Sequence, residues 1–218
     1  MKAEPDNIDF SLGEDDFLIP FGYSEIRGRR KITCLPGYES EIMKYESPES
    51  GGRNLIAFFK AEGKKYGYET EIAETLIFSS GVTPPDAGAV LQNSEILKEP
   101  SVYDSLVEFD RTPDAGGLIS ATVLDGTIVS AAWINPFSGA ESCDIAVETA
   151  KGFENRGFAA SNVALLCGKI VRDGGNVTYI ARTDNLASVR VAEKAGLVRC
   201  GSEMRVLWFK KEGAENGI

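Results

Sequence analysis

Residues 145–166 read IAVETAKGFENRGFAASNVALL. The first residues alternate apolar and polar, as a half-buried strand does. A polar loop follows, with glycines at Gly152 and Gly157. Beyond Gly157 the apolar residues recur at helical spacing, through Val163, Leu166 and Ile170. A strand, a glycine-bearing loop and a helix in this order can hold an anion. The first N–H groups of a helix have no partner inside it, and the helix dipole adds partial positive charge there. Gly157 lets a ligand approach the backbone, Ala159 keeps the wall small, and Arg156 adds a charge. The same pattern also describes a plain strand-loop-helix connection.

The elements around this stretch extend the pattern. Before it, Leu118–Leu124 and Thr127–Trp133 flank Asp125-Gly126, a pair suited to a tight hairpin turn. The segment Ser142–Val147 supplies a third strand, so a meander of three strands is expected. After it, Phe158–Arg172 reads as a helix stopped by Asp173-Gly174-Gly175-Asn176. Val177–Ala181 is a strand, Asp184-Asn185 caps a helix over Leu186–Ala195, and Glu203–Phe209 is a final strand. The order βββ-α-β-α-β implies a mixed α/β fold.

The N-terminal part is less regular. Leu18–Phe21, Lys31–Leu35 and Glu74–Phe78 read as strands. Arg53–Lys65 reads as an amphipathic helix with Ile56, Phe59 and Ala61 on one side. Asp86–Phe109 is expected to be helical in pieces, broken at Pro100, with a turn-rich connection from Asp110 to Gly117.

Two nucleotide-binding patterns are excluded by spacing. The loop has no GxGxxG. Gly168-Lys169 lacks the P-loop frame, because Val163 and Ile170 stand where glycine and serine or threonine belong.

Two segments together resemble the GCN5-related N-acetyltransferase (GNAT) family. Its main signature, [Q/R]xxGx[G/A], falls on Glu154-Asn155-Arg156-Gly157-Phe158-Ala159. Its later signature falls on Asn185, Ser188 and the helix end Gly196-Leu197. Val147-Glu148-Thr149 resembles the subgroup with VxT after the fourth strand. The likeness covers residues 117–211 well and 70–116 loosely. It implies a central mixed β-sheet flanked by helices, with an N-terminal α+β extension. The expected division is an extension or small module over 1–70, an acyltransferase domain over 71–211 and a tail over 212–218.

The resemblance also implies a reaction and a site. Acetyl-CoA would donate its acyl group to a primary amine, on a small molecule or a peptide. Backbone amides of Asn155, Arg156, Gly157, Phe158 and Ala159, with Ala160 opening the helix, would hold the pyrophosphate. Ala146, Val147 and Thr149 would bond the pantetheine arm by strand addition. The Val147 amide would polarise the thioester carbonyl. Asn185 and Ser188 would lie near the pantetheine or phosphates. Glu148 is the first candidate for the base, acting through water, with Asp144 and Glu141 behind it. Tyr103, Tyr179 and Trp133 are further candidates for proton donors or pocket walls. Two positions depart from the family. Glu154 replaces Gln or Arg and is expected to face solvent or cap the helix. Ala192 stands where many members carry a tyrosine acid. These departures keep a second reading open, a CoA-binding sensor or scaffold without turnover.

Composition narrows the chemistry further. The 218 residues include no histidine, which excludes Ser-His-Asp and Cys-His catalysis and His-ligated zinc. No metal is expected. The formal net charge of −10 argues against a nucleic-acid partner and suits a cationic acceptor. Residues 1–20 carry six acids and one lysine. The four cysteines, Cys34, Cys143, Cys167 and Cys200, are single and far apart, so thiols rather than disulfides are expected. The polar start MKAEPDNIDF is not expected to act as a signal peptide, and no apolar run reaches the roughly 20 residues of a membrane helix. The expected place is the cytoplasm. A homodimer is compatible with the family.

Overall fold

The computed structural model describes residues 17–44, 53–80, 93–108, 117–136, 138 and 142–210. The chain divides into two compact units, one from Met1–Thr75 with Gly201–Ile218 and one from Leu76–Cys200. It passes between them within two strands, β3 (Tyr68–Ser79) and β10 (Val198–Lys210).

In the first unit, β1 (Phe17–Ile26) and β2 (Arg29–Cys34) form a hairpin. β1 also pairs antiparallel with β10. The expected strand at Leu18–Phe21 lies inside β1, and the one at Lys31–Leu35 overlaps β2, which starts two residues earlier and ends at Cys34. A short helix α1 (Glu39–Lys44) follows, then α2 (Arg53–Lys65). The helix α2 stands where its pattern placed it, with a different inner face. Leu55, Phe59 and Gly63 are buried, one turn apart each, whereas Ala61 is exposed. Glycine is needed at 63 because a Cβ there would lie 2.6 Å from Trp208 Nε1 and 2.7 Å from Thr70 Oγ1. The Trp208 indole N–H donates to the Phe59 carbonyl at 3.0 Å. Phe59 stacks on Phe21 with ring centroids 5.3 Å apart. Phe59 is fully buried, which stabilises this core by roughly 3 kcal/mol.

Among the described residues, the second unit is a mixed sheet with two α-helices. Its strands are β4 (Ser94–Leu97), β6 (Ile119–Leu124), β7 (Thr127–Ile134), β8 (Cys143–Thr149) and β9 (Val177–Arg182), lying in the order β9-β8-β7-β6-β4. The two-residue β5 (Asp104–Ser105) runs parallel beside β7. The expected meander is present, and its turn is the expected one. Asp125 and Gly126 have φ of 49° and 78°, the left-handed pair that matches a hairpin's twist. The structure corrects the helical expectation for Asp86–Phe109. Residues 93–108 form β4, a 3-10 turn at Pro100–Val102 and β5 instead. The strand pairing of β4 with β6 overrides local propensity there, because Leu97 and Val107 are buried against Ile119 and Ala121. Residues 81–92 and 109–116 lie outside the described residues.

Helix α3 (Phe158–Arg172) has the span its pattern gave, and α4 (Leu186–Lys194) ends one residue earlier than expected. Both pack on one sheet face. Val163, Leu166, Cys167 and Ile170 of α3 and Ala192 of α4 meet Ile145, Val177, Tyr179 and Ala181 in one buried cluster. The opposite face of β6 and β7 is covered by a second cluster around Leu97, Val107 and Ile128, with Tyr103, Trp133 and Phe153 packed on it. The four cysteines are free thiols. Among the described residues, no helix is long and apolar enough to cross a membrane, and no group of three or more Cys, Asp and Glu is placed to hold a metal ion.

Candidate functional site

The site begins where two neighbouring strands part. β8 pairs with β7 along its length, from Ile134↔Ile145 to Ser130↔Thr149. Its parallel ladder to β9 consists of Cys143↔Val177 and Asp144↔Thr178. Beyond that point β8 runs on to Thr149 and β9 to Arg182 without further pairing to each other.

The phase of the β7–β8 ladder decides which groups face the opening. The Asn135 N–H donates to the Asp144 carbonyl at 2.8 Å, and the Ala150 N–H to the Val129 carbonyl at 2.9 Å. Bonded pairs alternate in an antiparallel ladder. Ala146 and Glu148 therefore turn their backbone groups to β7. Val147 and Thr149 turn theirs away from β7, to the side that β9 has left. A strand edge of this kind accepts an extended ligand by strand addition.

Side chains alternate the other way. Ile145 is buried and Val147 part-buried on the α3 face. Glu148 is exposed on the opposite face, on the side of Trp133. Ile180 of β9 is on that face too, 39% exposed. Asp144 lies deeper and is held by its neighbours: Asn135 Nδ2 approaches its carboxylate at 3.5 Å, and its N–H donates to Ser138 Oγ at 2.9 Å.

Three left-handed residues shape the loop from β8 to α3: Gly152 at φ 90°, Asn155 at 62° and Gly157 at 85°. Two are glycines and the third is asparagine, which tolerates that region best among residues with side chains. The loop ties itself together. Glu154 Oε2 accepts the Gly152 N–H at 2.5 Å, and Arg156 Nη2 donates to the Gly152 carbonyl at 3.0 Å. The Arg156 guanidinium also lies 5.1 Å from the centre of the Phe153 ring. Hydrogen bonds from its own N–H and from the Gly152 N–H hold the Glu154 carboxyl below its ordinary pKa. Glu154 is thus solvent-facing and bound to its own loop, not to the helix end.

Gly157 is the N-cap of α3 and contributes no capping side chain. The N–H groups of Phe158, Ala159 and Ala160 open the helix without intrahelical acceptors. The first helical bond closes from Ser161 N–H to the Gly157 carbonyl at 3.0 Å.

The second signature lies at the start of α4. Asn185 is its N-cap, with Oδ1 accepting the Ser188 N–H at 3.0 Å. Ser188 Oγ and the Tyr179 hydroxyl are 2.8 Å apart. Tyr179 is buried, and burial raises the pKa of its phenol. It joins β9 to α4. Arg182 pairs with Asp184 at 3.2 Å. Ala192 is fully buried in the core.

Solved structures of similar shape agree with this architecture. A GCN5-related N-acetyltransferase-like protein from Streptococcus suis matches with a TM-score of 0.53 at 15% identity, over 88% of either chain. A GCN5-related N-acetyltransferase from Sphaerobacter thermophilus matches with a TM-score of 0.51 at 14% identity, over 86% of this chain and 76% of that one. The fold is of the GNAT type. No family model matches the chain, and no curated protein does.

Sequence reading missed Ile180, Ser130 and Asn162. A lone apolar residue in a strand and a serine inside an apolar run carry no local signal of their own.

Proposed function

We propose that the protein is an acyl-CoA-dependent N-acyltransferase, acting by direct transfer to a primary amine in a ternary complex. One observation carries this reading: the backbone groups of Val147 and Thr149 face the gap where β8 and β9 separate, next to the uncapped N-terminus of α3. An extended thioester arm fits the strand edge, and a pyrophosphate fits the amides from Asn155 to Ala160.

In this reading the amine approaches on the face of Glu148, opposite α3. Glu148, acting through water, takes the proton that the ammonium must lose. The amine nitrogen attacks the thioester carbon, and the Val147 N–H donates to the carbonyl oxygen as it gains charge. The C–S bond breaks as the amide forms, and the departing thiolate takes a proton from water. Ala192 offers no acid for that step, so positioning the two reactants carries most of the rate. Asn185 and Ser188 support the cofactor side through the start of α4. Acetyl is the favoured acyl group, and the cytoplasm the favoured place.

The buried Ala192 also favours the second reading, CoA binding without turnover. Release of CoA from acetyl-CoA across an amine panel, with calorimetric titration of CoA, separates the readings. Turnover on any amine supports the enzyme. Micromolar CoA binding with no turnover supports the sensor. No CoA binding defeats both. Gly157→Trp closes the loop amides and should abolish binding.

A further inference from the structure

Asn162 is a polar side chain in the middle of the buried face of α3, with no exposed surface. Such a group is costly to bury unless its hydrogen bonds are made. Asn162 makes them. Its Nδ2 donates to the Ser130 carbonyl and to Thr122 Oγ1, each at 3.1 Å. Its Oδ1 lies 3.4 Å from Ser120 Oγ and 3.3 Å from Thr122 Oγ1.

The partners sit at an irregularity in the sheet. Thr122 pairs with Ser130, but the next pair is Val123↔Ile128. Val129 is the extra residue, so β7 bulges there. A bulge bends its strand and increases the local twist. The Asn162 amide is bonded to one side of this bulge. The other side is bonded to the end of β8. Ser130 Oγ donates to the Glu148 carbonyl at 3.0 Å and lies 2.8 Å from Thr149 Oγ1. The Val129 carbonyl takes the Ala150 N–H. A continuous chain of bonds therefore runs from α3 through the β7 bulge to Glu148, Thr149 and Ala150. These are the residues where β8 has parted from β9.

We propose that Asn162 and Ser130 are positioning residues of the acyl-transfer site. They fix the direction in which the end of β8 leaves β9. They also tie that strand end to the helix whose N-terminus faces the phosphates. The thioester edge and the pyrophosphate site are then held in one register. The effect on catalysis rests on the acyl-CoA reading. The effect on β8 does not.

The test uses Asn162→Leu, Asn162→Asp, Ser130→Ala and Ser130→Thr. Ser94→Ala is the control. Ser94 belongs to the same polar cluster, 3.2 Å from Thr122 Oγ1 and 2.7 Å from Ser161 Oγ, but its hydroxyl bonds neither Asn162 nor Ser130 nor β8. In the ligand-free proteins, hydrogen exchange of the Ala146, Glu148 and Ala150 amides, which turn to β7, should quicken at least tenfold in Asn162→Leu, Asn162→Asp and Ser130→Ala. It should stay within twofold of the parent in Ser94→Ala and Ser130→Thr, which keep the bonds to β8. With acetyl-CoA and an accepted amine, kcat should fall at least tenfold in the first three while KM for acetyl-CoA moves less than threefold. Equal exchange in all five variants, or equal kcat in Ser130→Ala and Ser94→Ala, overturns the proposal. If Asn162 variants fail to fold, the two Ser130 variants decide it. If the parent accepts no amine, the enzyme reading fails and hydrogen exchange alone judges the positioning role.

Discussion

The Glu154 carboxylate accepts the Gly152 N–H at 2.5 Å, so a negative charge of the protein's own lies against the loop that leads into α3. On the proposed reading, a CoA phosphate arriving at the helix end would meet this charge. Glu154→Gln should therefore tighten CoA binding threefold to tenfold at low ionic strength. The gain should shrink as salt is added, because exposed charges are screened. Calorimetric titration at two salt concentrations measures it. Weaker binding in the glutamine variant would show that the loop's own hydrogen bonds matter more than the repulsion.

The same contact has a pH signature. The Glu154 pKa is held below its ordinary 4.5, chiefly by its own backbone N–H and then by that of Gly152. A depressed carboxyl stabilises the folded loop above the unfolded value and loses that stabilisation as pH falls through the folded value. The Gly152 amide resonance should thus titrate with a midpoint below 4.5. A midpoint at or above 4.5 contradicts the bond.

Glu148 is exposed and shares its sheet face with Trp133 and Ile180. As the base, its replacement by Gln should lower kcat/KM at neutral pH by at least tenfold and flatten the acid limb of the pH profile. Melting temperature should stay within about 1 °C, since an exposed side chain without a buried contact contributes little stability. An unchanged pH profile removes Glu148 from the mechanism.

Asn185 is committed to its helix, with Oδ1 on the Ser188 N–H. Asn185→Ala should cost about 1 kcal/mol, a fall of roughly 2–4 °C in Tm for a chain of this size. Asn185→Asp keeps the cap and should stay near the parent. CoA affinity of Asn185→Ala, measured below its melting range, should weaken less than threefold. A loss of tenfold or more would assign Asn185 a direct ligand contact besides the cap.

Cys167 is fully buried, and burial pushes its thiol up from 9.0 to about 12. The folded state keeps the proton between these values and the unfolded chain releases it. Stability is full below pH 9 and falls as pH rises toward 12, by at most about 1.4 kcal/mol per pH unit. Cys167→Ala lacks this slope but leaves a small cavity, at about 1–2 kcal/mol. Urea midpoints should therefore favour the parent at pH 7 and converge by pH 10–11. Parallel curves would contradict the assignment.

The parts read correctly from sequence were those with a local cause. α3 shows its period in Val163, Leu166 and Ile170, and it is stopped by Asp173 and the glycines behind it. The hairpin turn is written in Asp125-Gly126, and the cap of α4 in Asn185. Residues 93–108 were misread because their structure depends on β6 and β7 rather than on their own propensity. On α2, Ala61 is exposed and Gly63 is buried, because only the Trp208 ring, far along the chain, decides which side needs the room.

The sequence by itself determined the order of elements, the glycine-shaped loop and the family resemblance, since each rests on neighbours within a few residues. Tertiary structure decided that Val147 and Thr149, not Ala146 and Glu148, turn their backbone to the gap. It also decided that Asn162 holds a bulge in β7. Both depend on register between strands and on contacts across 32 and 40 residues of chain. A one-residue shift of that register would reverse every assignment on β8, and nothing within the strand's own seven residues fixes it.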